Sequence, residues 1–115
     1  MPVTSSHGGD GVSVVKVTGS LIGGKETDEL RRVLGEMVLT RRTKLLIDLS
    51  GVTYANSTAI GVLMSTHTSY TRRRWSVAFC GVTKELNVVL VVTKLNLVFE
   101  LHKSCEEALK SLSSR

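Results

Sequence analysis

A chain of 115 residues with 42% hydrophobic content is long enough for one domain with a buried core and too short for two. The net charge of +5 raises the question of nucleic-acid binding, but aromatic residues make up only 4% of the chain, too few for a base-stacking surface. There is neither an apolar run long enough for a membrane span nor a basic-then-apolar signal pattern, so we expect no membrane insertion and no export. We expect a single domain over residues 1–115 with flexible ends at 1–10 and 113–115.

The first third of the chain predicts a strand, a loop and a helix. Residues 12–17 are rich in valine and predict a strand, which could pair across a glycine-rich turn with a short strand around Val3. Residues 18–24 are predicted as a loop. Between residues 27 and 39, apolar side chains recur at helical spacing and predict an amphipathic helix, whose first turn could begin at Lys25.

A buried strand and a second helix are predicted next. Residues 44–49 are almost continuously apolar, which is typical of a central strand that is buried on both faces. The following helix is expected to begin at Ser57 or Thr58 and to end at the three arginines of residues 72–74.

The last third of the chain completes an alternation of strands and helices. Residues 75–80 predict a strand, and 83–93 mix β-branched residues with helical spacing; we choose a helix because Thr83 begins a typical helix start. We expect a last strand over 97–101 and a closing helix capped by Ser104. Strands separated by helices imply parallel crossovers, so the predicted fold class is α/β, a mixed, mostly parallel β-sheet of about four to five strands packed with about four α-helices.

The two cysteines, Cys80 and Cys105, lie far apart in the sequence, and each lies in an apolar pattern. We predict buried free thiols, because buried cysteine behaves as a small hydrophobic residue. A reducing, cytoplasmic compartment follows as the default.

Arginines cluster at residues 31–32, 41–42 and 72–74. We expect them at exposed helix ends, where cations complement the C-terminal dipole, and an acidic protein partner could also use them. Because only Trp75 adjoins a cluster, no specific nucleic acid is expected as a partner.

Other side chains that could carry chemistry lack the necessary spacing. His7, His67 and His102 are scattered and have no metal-like spacing, so no metal site is expected. The segment 23–25 has two glycines and a lysine without the rest of a phosphate-binding loop, and Ser57 does not lie in a nucleophile-elbow motif. We therefore expect neither a cofactor, nor a catalytic residue, nor an enzymatic activity.

The stretch from Asp48 to Met64 is the most informative segment. It leads from the apolar strand through a turn to two adjacent hydroxyl residues, Ser57 and Thr58, at a helix start. Hydroxyl groups there can cap the helix, or they can be a modification site, because the N–H groups of a helix start favour negative charge.

The order of residues in this stretch resembles the signature of the STAS domain, the family of anti-sigma factor antagonists. In that family a strand ending in Asp-Leu-Ser leads to Asp-Ser-Ser/Thr-Gly-Leu-Gly at a helix start. Residues 17–21, 93–99 and 104–109 resemble further family segments in the same order, so the resemblance covers the chain from about Val12 to Leu112.

The resemblance implies a switch protein that exchanges partners. Such a protein binds an anti-sigma factor that is also a Ser/Thr protein kinase, phosphorylation abolishes the complex, and a phosphatase restores it. The matching acceptor is Ser57, with Thr58 as the second choice. The expected partner-binding residues lie in the motif and in the loop before the first helix; they are Gly23, Asn56, Ser57, Thr58, Ala59 and Gly61. Weak homodimerisation is a further possibility.

Two residues depart from the family pattern, and they leave an alternative open. Asn56 replaces the acidic residue before the hydroxyl pair, and Ala59 replaces the glycine after it. Asn56 could still cap the helix through its side-chain oxygen. The pair could serve mainly as a cap, and the chain would then be a constitutive, unphosphorylated STAS scaffold in a signalling or transport complex.

Overall fold

The computed structural model describes residues 3–8 and 10–115, and within them the chain forms five strands, four α-helices and one short 3-10 turn. The strands are β1 (Val3–His7), β2 (Ser13–Leu21), β3 (Lys44–Ala55), β4 (Ser76–Cys80) and β5 (Leu101–His102). The helices are α1 (Gly24–Leu39), α2 (Ser57–Arg72), α3 (Lys84–Val92) and α4 (Cys105–Ser113), and the 3-10 turn spans Leu95–Leu97.

The five strands form one mixed sheet in the order β1-β2-β3-β4-β5. β1 and β2 are antiparallel, whereas the three remaining pairs are parallel, each joined by a helical crossover. The predicted α/β fold is confirmed, including the pairing of the segment around Val3 with β2.

Helices cover both faces of the sheet because the side chains of β3 and β4 point alternately to the two sides. α1, α2 and α3 pack on one face over Leu45, Ile47 and Phe79. α4 packs alone on the other face, where Leu46 and Ala78 meet its buried residues. The prediction that β3 is buried on both faces is therefore confirmed.

Two predicted segments differ from the observed structure. The expected loop over 18–24 is wrong for its first residues, because β2 continues to Leu21. Leu21 pairs with Ala55, the last residue of β3, which also continues beyond its predicted end at Leu49. The strand expected over 97–101 is also wrong. Lys94 takes a left-handed conformation with φ of 62°, a 3-10 turn follows, and only Leu101 and His102 pair with β4.

The ends of the chain are partly incorporated into the fold. Residues 3–7, expected to be flexible, form five register pairs with β2, and Met1, Pro2 and Gly9 lie outside the described residues. At the other end, Ser113 is the last residue of α4, and the Arg115 guanidinium donates to the Glu100 carboxylate.

The prediction of two free thiols is wrong. Cys80, the last residue of β4, and Cys105, the first residue of α4, form a disulfide bond. The parallel pairing of β4 with β5 returns the chain to the end of β4, so α4 starts there although 25 residues separate the two cysteines. The inference of a reducing compartment rested on free thiols and loses that support.

Candidate functional site at the start of helix α2

The candidate site lies where β2 and β3 end side by side. Leu21 pairs with Ala55, and the Asn56 N–H donates a hydrogen bond of 2.9 Å to the Leu21 carbonyl oxygen. The sheet therefore fixes the last residue before α2 against the end of β2, and it places the loop that follows Leu21 beside the helix start.

Asn56 is the N-cap of α2, as the sequence suggested. Its backbone is extended, and its side-chain oxygen accepts a 3.0 Å hydrogen bond from the Ala59 N–H. Its carbonyl oxygen accepts the first helical hydrogen bond, from the Ile60 N–H at 3.0 Å. Two donors of the first turn are thus satisfied by one residue that carries no charge.

Ser57 and Thr58 are both exposed in the first turn of α2. Their hydroxyl groups and backbone N–H groups form no hydrogen bond within the described residues, since Asn56 supplies the cap instead. The first turn contains no acidic side chain. A negative group attached to either hydroxyl would meet the positive end of the helix dipole without an opposing carboxylate in that turn.

Gly23 lies beside Asn56, and its role in partner binding stays a prediction. Its φ of 99° lies in the left-handed region, and its N–H donates to the Thr27 side-chain oxygen at 3.2 Å. A side-chain carbon built on Gly23 would lie 3.7 Å from the Asn56 amide nitrogen. The loop therefore approaches the cap closely, in a backbone conformation that favours glycine.

The remaining two predicted residues, Ala59 and Gly61, differ in exposure. Ala59 is fully buried in the main core, so its side chain is not part of the exposed surface, and its role in partner binding stays a prediction. Gly61 is exposed and lines a groove of about 380 Å³ between α1 and α2, together with Thr58. Ala59 occupies the inward side of α2, where its methyl group packs under the cap.

Two exposed apolar residues border the site and were not identified from the sequence. Ile22 follows Leu21 and is 65% exposed, and Tyr54 precedes Ala55 and is 50% exposed. Alternation along β3 gives a signal for Tyr54, since Ala55 faces the core. Ile22 lay inside a predicted loop, where nothing in the pattern marked it.

Three side chains with shifted pKa values, His67, Tyr70 and Glu100, lie away from the helix start, and burial raises the pKa of Tyr70 above its ordinary value. Burial against Phe99 lowers the pKa of His67 in the middle of α2. Burial of Glu100 would raise its pKa, but hydrogen bonds from Arg115 and His102 outweigh this effect, and the pKa lies below its ordinary value.

Within the described residues, candidate metal ligands cluster at Asp48, Cys80 and Cys105. The carboxylate and the two sulfurs lie within 4.8 Å of one another. The sulfurs are bonded to each other, so neither is the thiolate that a metal ion requires. The Asp48 carboxylate instead accepts hydrogen bonds from the Ser50 N–H and hydroxyl groups.

Comparison with protein families identifies this architecture. The STAS domain model matches residues 5–108, which include the whole cap and the hydroxyl pair. The chain belongs to the STAS domain family. No match was found among curated protein sequences.

Solved structures share the fold over nearly the whole chain. An anti-sigma factor antagonist from Mycobacterium paratuberculosis aligns with a TM-score of 0.82 and 25% identity, over 96% of this chain and 93% of that chain. The Bacillus cell fate determinant SpoIIAA in its phosphorylated form aligns with a TM-score of 0.75 and 11% identity, over 95% and 97%.

A membrane transporter also contains a similar domain. The murine anion transporter Slc26a9 aligns with a TM-score of 0.71 and 15% identity, over 91% of this chain but 18% of the transporter. In the present STAS domain, no helix within the described residues is long and apolar enough to cross a bilayer.

Proposed function

We propose that this STAS domain is a non-catalytic partner-switching regulator, a bacterial anti-sigma factor antagonist that acts in the cytoplasm. Its partner would be an anti-sigma factor with Ser/Thr kinase activity, which phosphorylates Ser57 and thereby dissociates the complex. A phosphatase would reverse the modification. The observation that carries this proposal is the exposure of the Ser57 hydroxyl beside N–H groups that the domain leaves free.

The geometry supports a switch that acts at the interface and leaves the fold intact. Phosphorylation adds about −1.5 to −2 charges at neutral pH. Within the domain, the helix dipole and the free N–H groups of Ser57 and Thr58 compensate that charge. A partner packed over Ile22 and Tyr54 would instead have to bury the phosphate beside apolar side chains, which is unfavourable.

Thr58 is the second candidate acceptor. Like Ser57 it is exposed, but it also lines the groove between α1 and α2. Ser57 is preferred because it is the first helical residue and directly follows Asn56, whose side chain lies beside Gly23. A phosphate at either position would contact the same helix end.

A constitutive scaffold remains the second candidate function, in a signalling or transport complex. It is favoured by the hydrogen bond from the Ala59 N–H to the side-chain oxygen of the uncharged Asn56. This bond gives the motif a structural role that needs no phosphate. In this alternative, partners bind the same surface, and neither phosphorylation nor a phosphatase regulates them. Weak self-association through Ile22 and Tyr54 would be compatible with either function.

Binding to the cognate anti-sigma factor kinase tests the proposal. We expect Ser57→Asp to weaken the complex by at least about tenfold, which corresponds to about 1.4 kcal/mol. Ser5→Asp, an exposed serine on the edge strand β1, is the matched control and should bind like the wild type. Equal affinity of the wild type and Ser57→Asp would contradict a charge-based switch at this position.

A further inference from the structure

Five exposed arginines lie together at the end of the domain opposite the start of α2. Arg41 and Arg42 follow α1, Arg72 is the last residue of α2, and Arg73 and Arg74 follow it. We call these five residues the arginine pole. The Tyr70 hydroxyl donates a 2.6 Å hydrogen bond to the Arg42 carbonyl oxygen, which holds the end of α2 against the turn after α1.

Part of the pole is held in place by Trp75. The guanidinium carbons of Arg41 and Arg73 lie 5.4 and 5.5 Å from the centroid of its ring. The ring is half-buried and packs edge-on against Tyr70 at 5.5 Å. Two of the five guanidinium groups are therefore positioned before any partner arrives, which reduces the entropy lost on binding.

The charge of the pole is not neutralised by the rest of the domain. Ion pairs within the described residues involve Arg31, Arg32, Arg115 and His102, and no member of the pole takes part. The whole chain has 15 Lys and Arg against 10 Asp and Glu. Without the five pole arginines the two signs balance, so the pole accounts for the entire net charge of +5.

Stabilisation of helix ends does not account for five cations. The C-terminus of a helix carries the equivalent of about −0.5 charge, and two helices, α1 and α2, end at the pole. About one positive charge would balance both dipoles, which leaves roughly four in excess. An excess of this size over two adjacent turns is typical of a surface that binds an anionic partner.

We propose that the arginine pole binds an acidic segment of a partner protein. The planar guanidinium group of arginine suits carboxylates, because it can bind a carboxylate through two parallel hydrogen bonds. A nucleic acid is disfavoured because Trp75, the only tryptophan in the chain, already packs against Tyr70 and two guanidinium groups and cannot also stack on a base. Leu39, 82% exposed at the end of α1, offers one apolar contact beside the pole, which is too little for membrane insertion.

This surface is independent of the proposed phosphorylation switch. Ser57 and Arg72 are the first and last residues of α2, so the helix separates them by roughly 22 Å. That distance exceeds the Debye length of about 8 Å at physiological ionic strength. A phosphate on Ser57 would therefore not occupy or screen the pole, and two partner segments could bind the domain together.

Charge-matched variants test the proposal with a fluorescein-labelled oligoglutamate peptide as the probe. The pole variant combines Arg42→Gln, Arg72→Gln and Arg74→Gln, whose side chains form no hydrogen bond, ion pair or ring contact within the described residues. It keeps Arg41 and Arg73, the two arginines on Trp75. The control variant removes the same charge at three exposed lysines elsewhere; its substitutions are Lys84→Gln, Lys103→Gln and Lys110→Gln. Unfolding curves of both variants verify that the fold is retained.

We expect the pole variant to bind oligoglutamate roughly tenfold more weakly than the wild type, and the control variant less than about threefold more weakly. Ser57→Asp should leave this binding unchanged, so the outcome does not depend on whether Ser57 is a switch. Equal losses in the pole and control variants would overturn the proposal, because net charge alone would then explain binding. Tighter, pole-dependent binding of oligo-dT or phosphatidylserine vesicles would overturn it in favour of those partners.

Discussion

The side-chain oxygen of Asn56 accepts a hydrogen bond of 3.0 Å from the backbone N–H of Ala59. These are the two residues that depart from the STAS motif, and they meet at the same helix end. Asn56 performs the capping without charge, while the Ala59 methyl group lies in the core below it. The departures therefore preserve the helix start and leave the Ser57 hydroxyl exposed.

The contribution of the Asn56 cap to the stability of the domain should be measurable. Asn56→Ala removes the acceptor for the Ala59 N–H, and we expect the free energy of unfolding to fall by about 1 kcal/mol. Asn56→Asp retains the acceptor and adds a favourable charge at the helix start, so it should be at least as stable as the wild type. Urea unfolding of the three proteins measures both effects, with Ser57→Ala as a control that keeps the cap. If Asn56→Ala unfolded at the same urea concentration as the wild type, the cap would contribute little to stability.

Alanine substitutions at two glycines test the backbone conformation of the loop beside the cap. Gly23→Ala places an alanine at φ of 99°, so we expect a loss of more than about 1 kcal/mol. Gly35→Ala lies in α1 with open space around the new methyl group, and alanine should stabilise the helix by roughly 0.5–1 kcal/mol. The two substitutions should thus shift the unfolding midpoint in opposite directions. Shifts of the same sign would mean that the loop does not require a left-handed residue at 23.

The disulfide should contribute strongly to stability, because it restricts the unfolded chain. For cysteines separated by 25 residues, the loop-closure entropy corresponds to about 3.5 kcal/mol. We expect dithiothreitol to lower the free energy of unfolding of the wild type by about that amount. A double variant with Cys80→Ala and Cys105→Ala should not respond to the reductant. An unchanged wild-type curve under reducing conditions would argue that the bond does not form in solution.

His67 should make stability depend on pH near neutrality. Burial lowers its pKa below the ordinary value of 6.5, so the unfolded chain takes up a proton at a higher pH than the folded domain does. The free energy of unfolding should therefore fall as the pH drops from above 6.5 towards the lower pKa of the folded state. His67→Gln should flatten the curve in this range, as seen by urea unfolding at a series of pH values. If the free energy of unfolding of His67→Gln changed with pH as it does in the wild type, other titratable groups would be responsible for the pH dependence.

Much of the fold could be predicted because the spacing of the apolar residues and the capping residues agree with the observed packing. The amphipathic spacing of α1 and the buried run of β3 correspond directly to the two faces of the sheet. The helix over 83–93 was ambiguous by composition, and the cap that the Thr83 side chain forms on the Leu86 N–H favours the helix. The strand over 97–101 failed because β character cannot reveal a left-handed Lys94 that diverts the chain.

The parts that could not be predicted depend on contacts between distant segments. No local pattern brings Cys105 to Cys80; the parallel return of β5 does so. The burial of Ala59 and the exposure of Ile22 likewise follow from how α2 and the end of β2 pack together. The hydroxyl pair and its cap were predictable because helix starts have strong local preferences.

The most direct test of the central claim is phosphorylation by the cognate kinase, followed by intact mass. With ATP, the wild type is expected to gain one phosphate, and Ser57→Ala is expected to gain none. Ser65→Ala, an exposed serine farther along α2, serves as the control and should be modified like the wild type. An unmodified wild type that still forms a full complex with its partner would contradict the switch and favour the constitutive scaffold. Retention of the phosphate in Ser57→Ala and its loss in Thr58→Ala would contradict the choice of acceptor.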